Sequence, residues 1–195
     1  MIGQPAAPSG VYLAVDYTEA PIPEHFYVAD YTYAANLDSD ALLVFGKGEQ
    51  SEVPQQKLRS KVEVFFPAIT FVTQFWKSSR EFHGVLRKFV EDHHYQVHAA
   101  PSSDVHAEKV QTLHSNNALV VLSGGEAMID FFYISPRDLY FKTRKNQEIR
   151  LEGLVRILLA PPLLLSLLDA CAPIVDAFKQ RFPVEETGNE IMESD

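Results

Sequence analysis

One order of segments occurs twice in this chain. In the first half, residues 25–37, 40–48 and 58–66 are rich in β-branched and aromatic residues, and an apolar period typical of a helix follows Pro67. In the second half, residues 110–122, 127–134 and 148–159 are strand-like, and Pro161 and Pro162 begin a helix that is predicted to end near Phe182. A repeated order of this kind limits the fold to two copies of one unit.

The repeat has a constant spacing. Placing Val155 on Val62 fixes an offset of 93 (155 minus 62). The same offset aligns the apolar residues of the first predicted helix, Phe71, Val72, Phe75, Phe82, Val85 and Phe89, with Leu164, Leu165, Leu168, Val175, Phe178 and Phe182. We therefore predict an α+β protein, formed by tandem duplication of an antiparallel β-strand unit closed by a C-terminal helix.

The remaining segments set the expected boundaries. Residues 11–20 form at best an edge strand because Pro21 and Pro23 follow, and the acidic residues 184–195 have no apolar period. The predicted organisation is a flexible N-terminus at 1–24, a first unit at 25–92, a connector at 93–109, a second unit at 110–183 and a disordered tail at 184–195.

Charge and composition narrow the class of partner. The net charge of −9 disfavours binding to nucleic acid or to anionic lipid. The single cysteine, Cys171, lies in an apolar segment and is predicted to be a core residue. Residues 1–10 do not resemble a secretion leader, so we expect a cytoplasmic protein.

The most apolar segment raises the question of a membrane span. Its uncharged run extends only from Ile157 to Leu168, which is shorter than the ~20 residues of a spanning helix, and two prolines interrupt it. We predict a core helix.

Motifs of the second unit carry a family resemblance. Ser115-Asn116 precedes an apolar strand, Ser123-Gly124-Gly125-Glu126 forms a turn, and Ile129-Asp130-Phe131 lies in the next strand. After a variable loop come a strand, the helix start Ala160-Pro161 and the closing residues 178–183. This order resembles a family of short, uncharacterised bacterial proteins, a domain of unknown function, whose helix starts with Ser-Pro or Thr-Pro and ends in Tyr-Glu-x-x-Phe-Gly.

The resemblance covers residues 110–183 and reaches residues 25–92 through the repeat. The tyrosine, glutamate and glycine of the family's closing motif are replaced here by Phe178, Lys179 and Pro183. The family implies no established activity. Its arrangement of strands followed by a helix is similar to that of the export chaperone SecB, which favours a role in binding or assembly.

Candidate catalytic and metal-binding residues are few. His94 and His98 are four residues apart and would share a metal only on a helix, and no second cysteine or HExxH motif supports them, so we predict no metal and no cofactor. The carboxylates nearest strand ends are Asp38, Asp40, Glu126 and Asp130, and we expect Asp130 to face solvent.

Basic residues cluster between Arg137 and Arg150, with Lys142, Arg144 and Lys145 between them and Tyr140 and Phe141 beside them. A solvated loop explains this cluster, and an acidic or phosphate-bearing partner is the alternative.

The second helix has more apolar residues than one core-facing stripe needs. Leu163, Leu167 and Ile174 lie outside the stripe, so we predict that they contact a second copy or another protein, unless the first helix covers them. The predicted function is a non-catalytic interaction or assembly protein. The alternatives are a small-molecule or metal-dependent enzyme and a nucleic-acid-associated accessory factor.

Overall fold

Among the described residues, a run of four strands followed by a helical segment occurs twice along the chain, in the predicted α+β manner. The computed structural model describes residues 17, 20–48, 58–95, 107–123, 125–138 and 150–182. Within them the elements are β1 (Phe26–Ala29), β2 (Tyr31–Asn36), β3 (Asp40–Gly48), β4 (Leu58–Pro67), α1 (Ala68–Thr70), a π-helical segment (Phe71–Trp76), α2 (Lys77–Asp92), β5 (Ala107–His114), β6 (Asn117–Ser123), β7 (Glu126–Tyr133), β8 (Glu152–Leu159) and α3 (Pro161–Arg181).

The described strands form two four-stranded sheets. Sheet A has the order β1-β8-β7-β6, and sheet B has the order β5-β4-β3-β2. Three strands of each sheet are antiparallel and come from one half of the chain, whereas β1 pairs parallel with β8, and β5 pairs parallel with β4. The α+β class is confirmed, but the sheets are mixed and not wholly antiparallel, because each borrows its fourth strand from the other half.

The two segments that change sheets were each predicted as a single strand. Residues 25–37 divide at Asp30, whose N–H donates to the Gly46 carbonyl at 3.0 Å. Residues 110–122 divide at Ser115 and Asn116, and β5 begins at Ala107, earlier than predicted. Strands that switch sheets at a bend form the corners of packed sheets.

The Ser-Asn motif is part of the second corner. The Ser115 hydroxyl lies 2.8 Å from the Phe132 carbonyl, and the Asn116 side chain donates to and accepts from the backbone of Ile134, at 2.8 Å in each case. These bonds satisfy polar groups that the bend removes from the strand ladders. The motif therefore has a structural role here.

The helices also cross between the halves. α3 contacts β2, whereas the π-helical segment and α2 contact β6, and α2 and α3 contact each other. The inner faces of both sheets and the helices share one apolar core, in which the rings of Phe45 and Phe131 lie 5.6 Å apart. Replacing each element of the first half by its counterpart in the second reproduces both strand orders. The tandem duplication itself stays a prediction.

The buried face of α2 differs from the predicted one. Phe71, Val72 and Phe75 are buried as expected, but Phe82 and Val85 are 37% and 62% exposed. Hydrogen bonds in a π-helix span five residues, so one additional residue fits into the turn and the register after Trp76 moves by one position. Ser79, Leu86 and Val90 are buried instead, and beyond this segment an offset of 92 (178 minus 86) aligns Leu86 with buried Phe178.

The apolar surplus of α3 is buried within the chain. Leu167 and Ile174 are 1% and 7% exposed, and Leu163 is half-buried against the core. The expectation that these residues face a partner is therefore wrong for Leu167 and Ile174, because this helix packs on both β2 and α2. By length and composition α3 alone among the described helices could cross a membrane, but most of its apolar side chains belong to the core.

The predicted tail at 184–195 and most of residues 1–24 and 93–109 lie outside the described residues. The flexible N-terminus, the connector and the disordered tail therefore stay predictions.

Adjacent residues of α2 test the register set by the π-helical segment. Leu86→Ala should lower the free energy of unfolding by about 2–4 kcal/mol, because it opens a cavity at a residue that is 1% exposed. Val85→Ala should change it by less than about 0.5 kcal/mol. Urea unfolding of both variants measures the difference, and a larger loss from Val85→Ala would contradict the register.

Candidate functional site

The face of sheet A that points away from the core carries two rows of side chains. Cross-strand pairing aligns Val28, Leu158, Met128 and Val121 in one row, and Phe26, Arg156, Asp130 and Leu119 in the next. Residues between them in sequence, such as Ile129 and Ile157, are buried in the core, as the alternation of strand side chains requires. We call the apolar members of both rows the apolar band: Phe26, Val28, Leu119, Val121, Met128 and Leu158.

Exposure of the band is greatest at β1. Phe26 and Val28 are 61% and 52% exposed, whereas the other four members are half-buried. β1 is an edge strand, since it pairs only with β8 among the described strands. The most accessible apolar side chains of sheet A therefore lie at an open edge.

A carboxylate and a guanidinium form an ion pair within the band. Arg156 Nε and Nη2 each donate to one oxygen of Asp130 at 2.6 Å. The Arg156 side chain is 20% exposed and that of Asp130 is 5% exposed. The Arg156 guanidinium also lies 5.9 Å from the ring centroid of Phe26. The hydrogen bonds to Asp130 raise the pKa of Arg156, so the arginine stays charged and the pair has no net charge.

The buried position of Asp130 corrects the prediction that it faces solvent. Strand alternation does turn Asp130 away from the core, onto the face opposite Ile129 and Phe131. However, Arg156 of the neighbouring strand lies directly across from Asp130 and covers it. The equivalent positions of sheet B hold Val44 and Glu63. Glu63 pairs along its own strand with Lys61, which is partly exposed, so the buried cross-strand pair is a property of sheet A.

Residues before β1 cover one end of this face. Tyr17 donates to Asn117 Oδ1 at 2.8 Å, and its ring lies 5.8 Å from that of Phe132. Burial raises the pKa of Tyr17 to about 12. A Cβ atom on Gly153 would lie 3.1 Å from the Cα of Pro23, so only glycine allows this segment to approach β8 without a shift. The apolar band lies beside this covered end.

The charges that flank β1 along the chain are acidic. Glu24 and Asp30 flank the strand and are exposed. Arg156 is the only lysine or arginine in the four strands of sheet A, and Asp130 already neutralises it. Lys47 of β3 is exposed and its backbone lies at the Tyr27 hydroxyl, so two acidic residues and one lysine leave a net negative charge beside β1, which attracts positive charge.

The other predicted sites do not assemble in the described residues. His94 is exposed at the end of α2 with φ of 55°, His98 lies outside the described residues, and no three metal-ligating side chains converge in the part that is described. Asp38 and Asp40 lie at the β2–β3 turn of sheet B, whereas Glu126 and Asp130 lie on β7 of sheet A. Arg137 and Arg150 are exposed, and the basic residues between them fall outside the described ranges.

Cys171 is a core residue, as predicted. It is 0% exposed in α3, and burial raises the pKa of its thiol far above the usual range. A thiol in this environment stays protonated and unreactive.

The apolar band was not predicted from the sequence. The available signal was Pro21 and Pro23 next to the apolar residues 26–29, because prolines near a strand are typical of a sheet edge. No family model, curated protein or solved structure matches the chain.

The Asp130–Arg156 pair leads to a stability prediction. Asp130→Asn should lower the free energy of unfolding by about 3 kcal/mol, because the guanidinium loses its charged partner in a mostly buried position. The double variant Asp130→Leu/Arg156→Met should lose less unfolding free energy than the sum of the losses from Asp130→Leu and Arg156→Met. Two apolar side chains can pack within the band and leave no unpaired charge.

Glu63→Gln is the comparison variant, because the Glu63 side chain is 20% exposed whereas that of Asp130 is 5% exposed, so loss of the better solvated carboxylate should lower the free energy of unfolding by less. Chemical unfolding of the wild type and of each variant gives the comparison. Equal losses from Asp130→Asn and Glu63→Gln would show that the pair on sheet A is solvated.

Proposed function

We propose that this protein is a non-catalytic interaction protein, and that its apolar band binds an extended, basic segment of another protein. The main observation behind the proposal is that Phe26 and Val28 are exposed at the edge of sheet A. The other apolar residues of the band are half-buried. Contiguous apolar surface on a folded chain is typical of a binding site.

The ion pair within the band suits it to binding apolar side chains. A lone buried charge would oppose the approach of an apolar group, but the two charges of Asp130 and Arg156 satisfy each other with two short hydrogen bonds. The guanidinium also lies over the ring of Phe26, the aromatic member of the band, and this contact favours the position of the ring.

Charge favours a basic partner over a second copy. Glu24 and Asp30 flank β1, and the whole chain has a net charge of −9, so two copies repel each other while a lysine-bearing segment is attracted. The burial of Leu167 and Ile174 removes the apolar surface of α3 that was expected to drive self-association. The proposal includes a cytoplasmic location and the resemblance to the uncharacterised bacterial family. It also includes a binding role similar to that of SecB.

A defined peptide tests the proposal. The probe is a fluorescent nine-residue peptide in which lysine alternates with valine and phenylalanine, and its control has the same composition with the apolar residues in one block. Fluorescence anisotropy should show tighter binding of the alternating peptide. Val28→Lys should raise its Kd at least about tenfold, because roughly the burial of one aliphatic side chain is lost and a repelling charge is added.

Val110→Lys is the matched control, since Val110 is 50% exposed on β5, the edge strand of sheet B that corresponds to β1. It should change the Kd less than twofold. Equal Kd values for the wild type and Val28→Lys, or a wild type that does not bind the peptide, would overturn the proposal. Light scattering that shows a dimer abolished by Val28→Lys would assign the band to a second copy instead.

A further inference from the structure

The backbone of β1 has an open side with a defined register. The Arg156 N–H donates to the His25 carbonyl at 2.8 Å, and Phe26 lies opposite Arg156 in the parallel pair. In this register residues 25, 27 and 29 direct their backbone groups toward β8. The N–H and C=O groups of Phe26 and Val28 therefore point away from β8, toward the edge of the sheet.

Phe26 and Val28 thus combine two features. Their backbone groups point to the sheet edge, and their side chains are the most exposed members of the apolar band. A strand placed beside β1 would hydrogen-bond to both residues and extend both rows of the band. Among the described strands none pairs with Phe26 or Val28 on this side, and the bond from the Asp30 N–H to Gly46 of β3 lies just beyond the end of β1.

The corresponding edge in sheet B differs in chemistry. β5 presents Glu108 and Lys109 at its exposed positions, and charged side chains on edge strands oppose pairing with other chains. β1 consists of Phe26, Tyr27, Val28 and Ala29 and has no charged side chain. The remaining edge strands, β2 and β6, each contact a helix.

We infer that the partner segment binds by adding an antiparallel strand to the open edge of β1. This inference rests on the proposed function and specifies its geometry. In an antiparallel pair, residues directly opposite Phe26 and Val28 exchange both backbone hydrogen bonds with them and place their side chains on the same face. The apolar residues of the partner then pack against Phe26 and Val28, and its basic residues alternate with them along the strand.

Backbone methylation of the alternating probe peptide tests the inference with the unmodified protein. In the inferred pairing, the amides of the valine and phenylalanine residues donate to β1, and the lysine amides point away. N-methylation of the valine and phenylalanine amides should raise the Kd at least about tenfold, because it removes two hydrogen bonds and places methyl groups against the strand edge. N-methylation of the lysine amides, the matched control, should change the Kd less than twofold.

The outcomes separate this inference from the proposed function. Equal Kd values for the two methylated peptides, with weakening by Val28→Lys retained, would overturn strand addition and leave binding through side chains alone. Greater sensitivity to methylation of the lysine amides would overturn the antiparallel arrangement, since a parallel strand bonds through the alternate residues. Loss of sensitivity to Val28→Lys would instead be a failure of the proposed function.

Discussion

Backbone pairing between the two halves of the chain is the constraint on which the structure depends. β1 completes the sheet of the second half, and β5 completes the sheet of the first. The π-helical segment, α2 and α3 each also contact a strand of the other half. Neither half therefore contains a complete four-stranded sheet, and the two halves share one apolar core although their elements occur in the same order.

The sequence patterns predicted the type of most elements but not which sheet each strand joins. Residues 25–37 have the composition of one long strand, because β-branched and aromatic residues favour a strand without specifying the sheet that it joins. The division at Asp30 depends on its bond to Gly46, a contact between residues distant in sequence. The π-helical segment was missed for a similar reason, since Phe82, Val85 and Phe89 also fit the period of an ordinary helix.

The candidate site was predictable only in part. Strand alternation placed Asp130 on the correct face, but its burial depends on Arg156, and the register between β7 and β8 contains an irregularity at Phe131 and Phe132 that no local pattern specifies. The apolar count of α3 correctly indicated a helix with more than one buried side. It did not indicate that both sides are covered within the chain, because that requires knowing that α3 packs on β2.

The parallel pairing of β1 with β8 also affects the order of events during synthesis. Phe26 lies opposite Arg156, 130 positions later in the chain (156 minus 26). At about 5–20 residues per second, a ribosome needs roughly 7–26 s to synthesise that interval. Throughout it the four apolar residues of β1 have emerged without the strand that pairs with them, so the nascent chain carries an unprotected strand for far longer than a hairpin takes to close. Translation speed, and not only the final stability of sheet A, therefore governs how long other nascent chains have access to this segment.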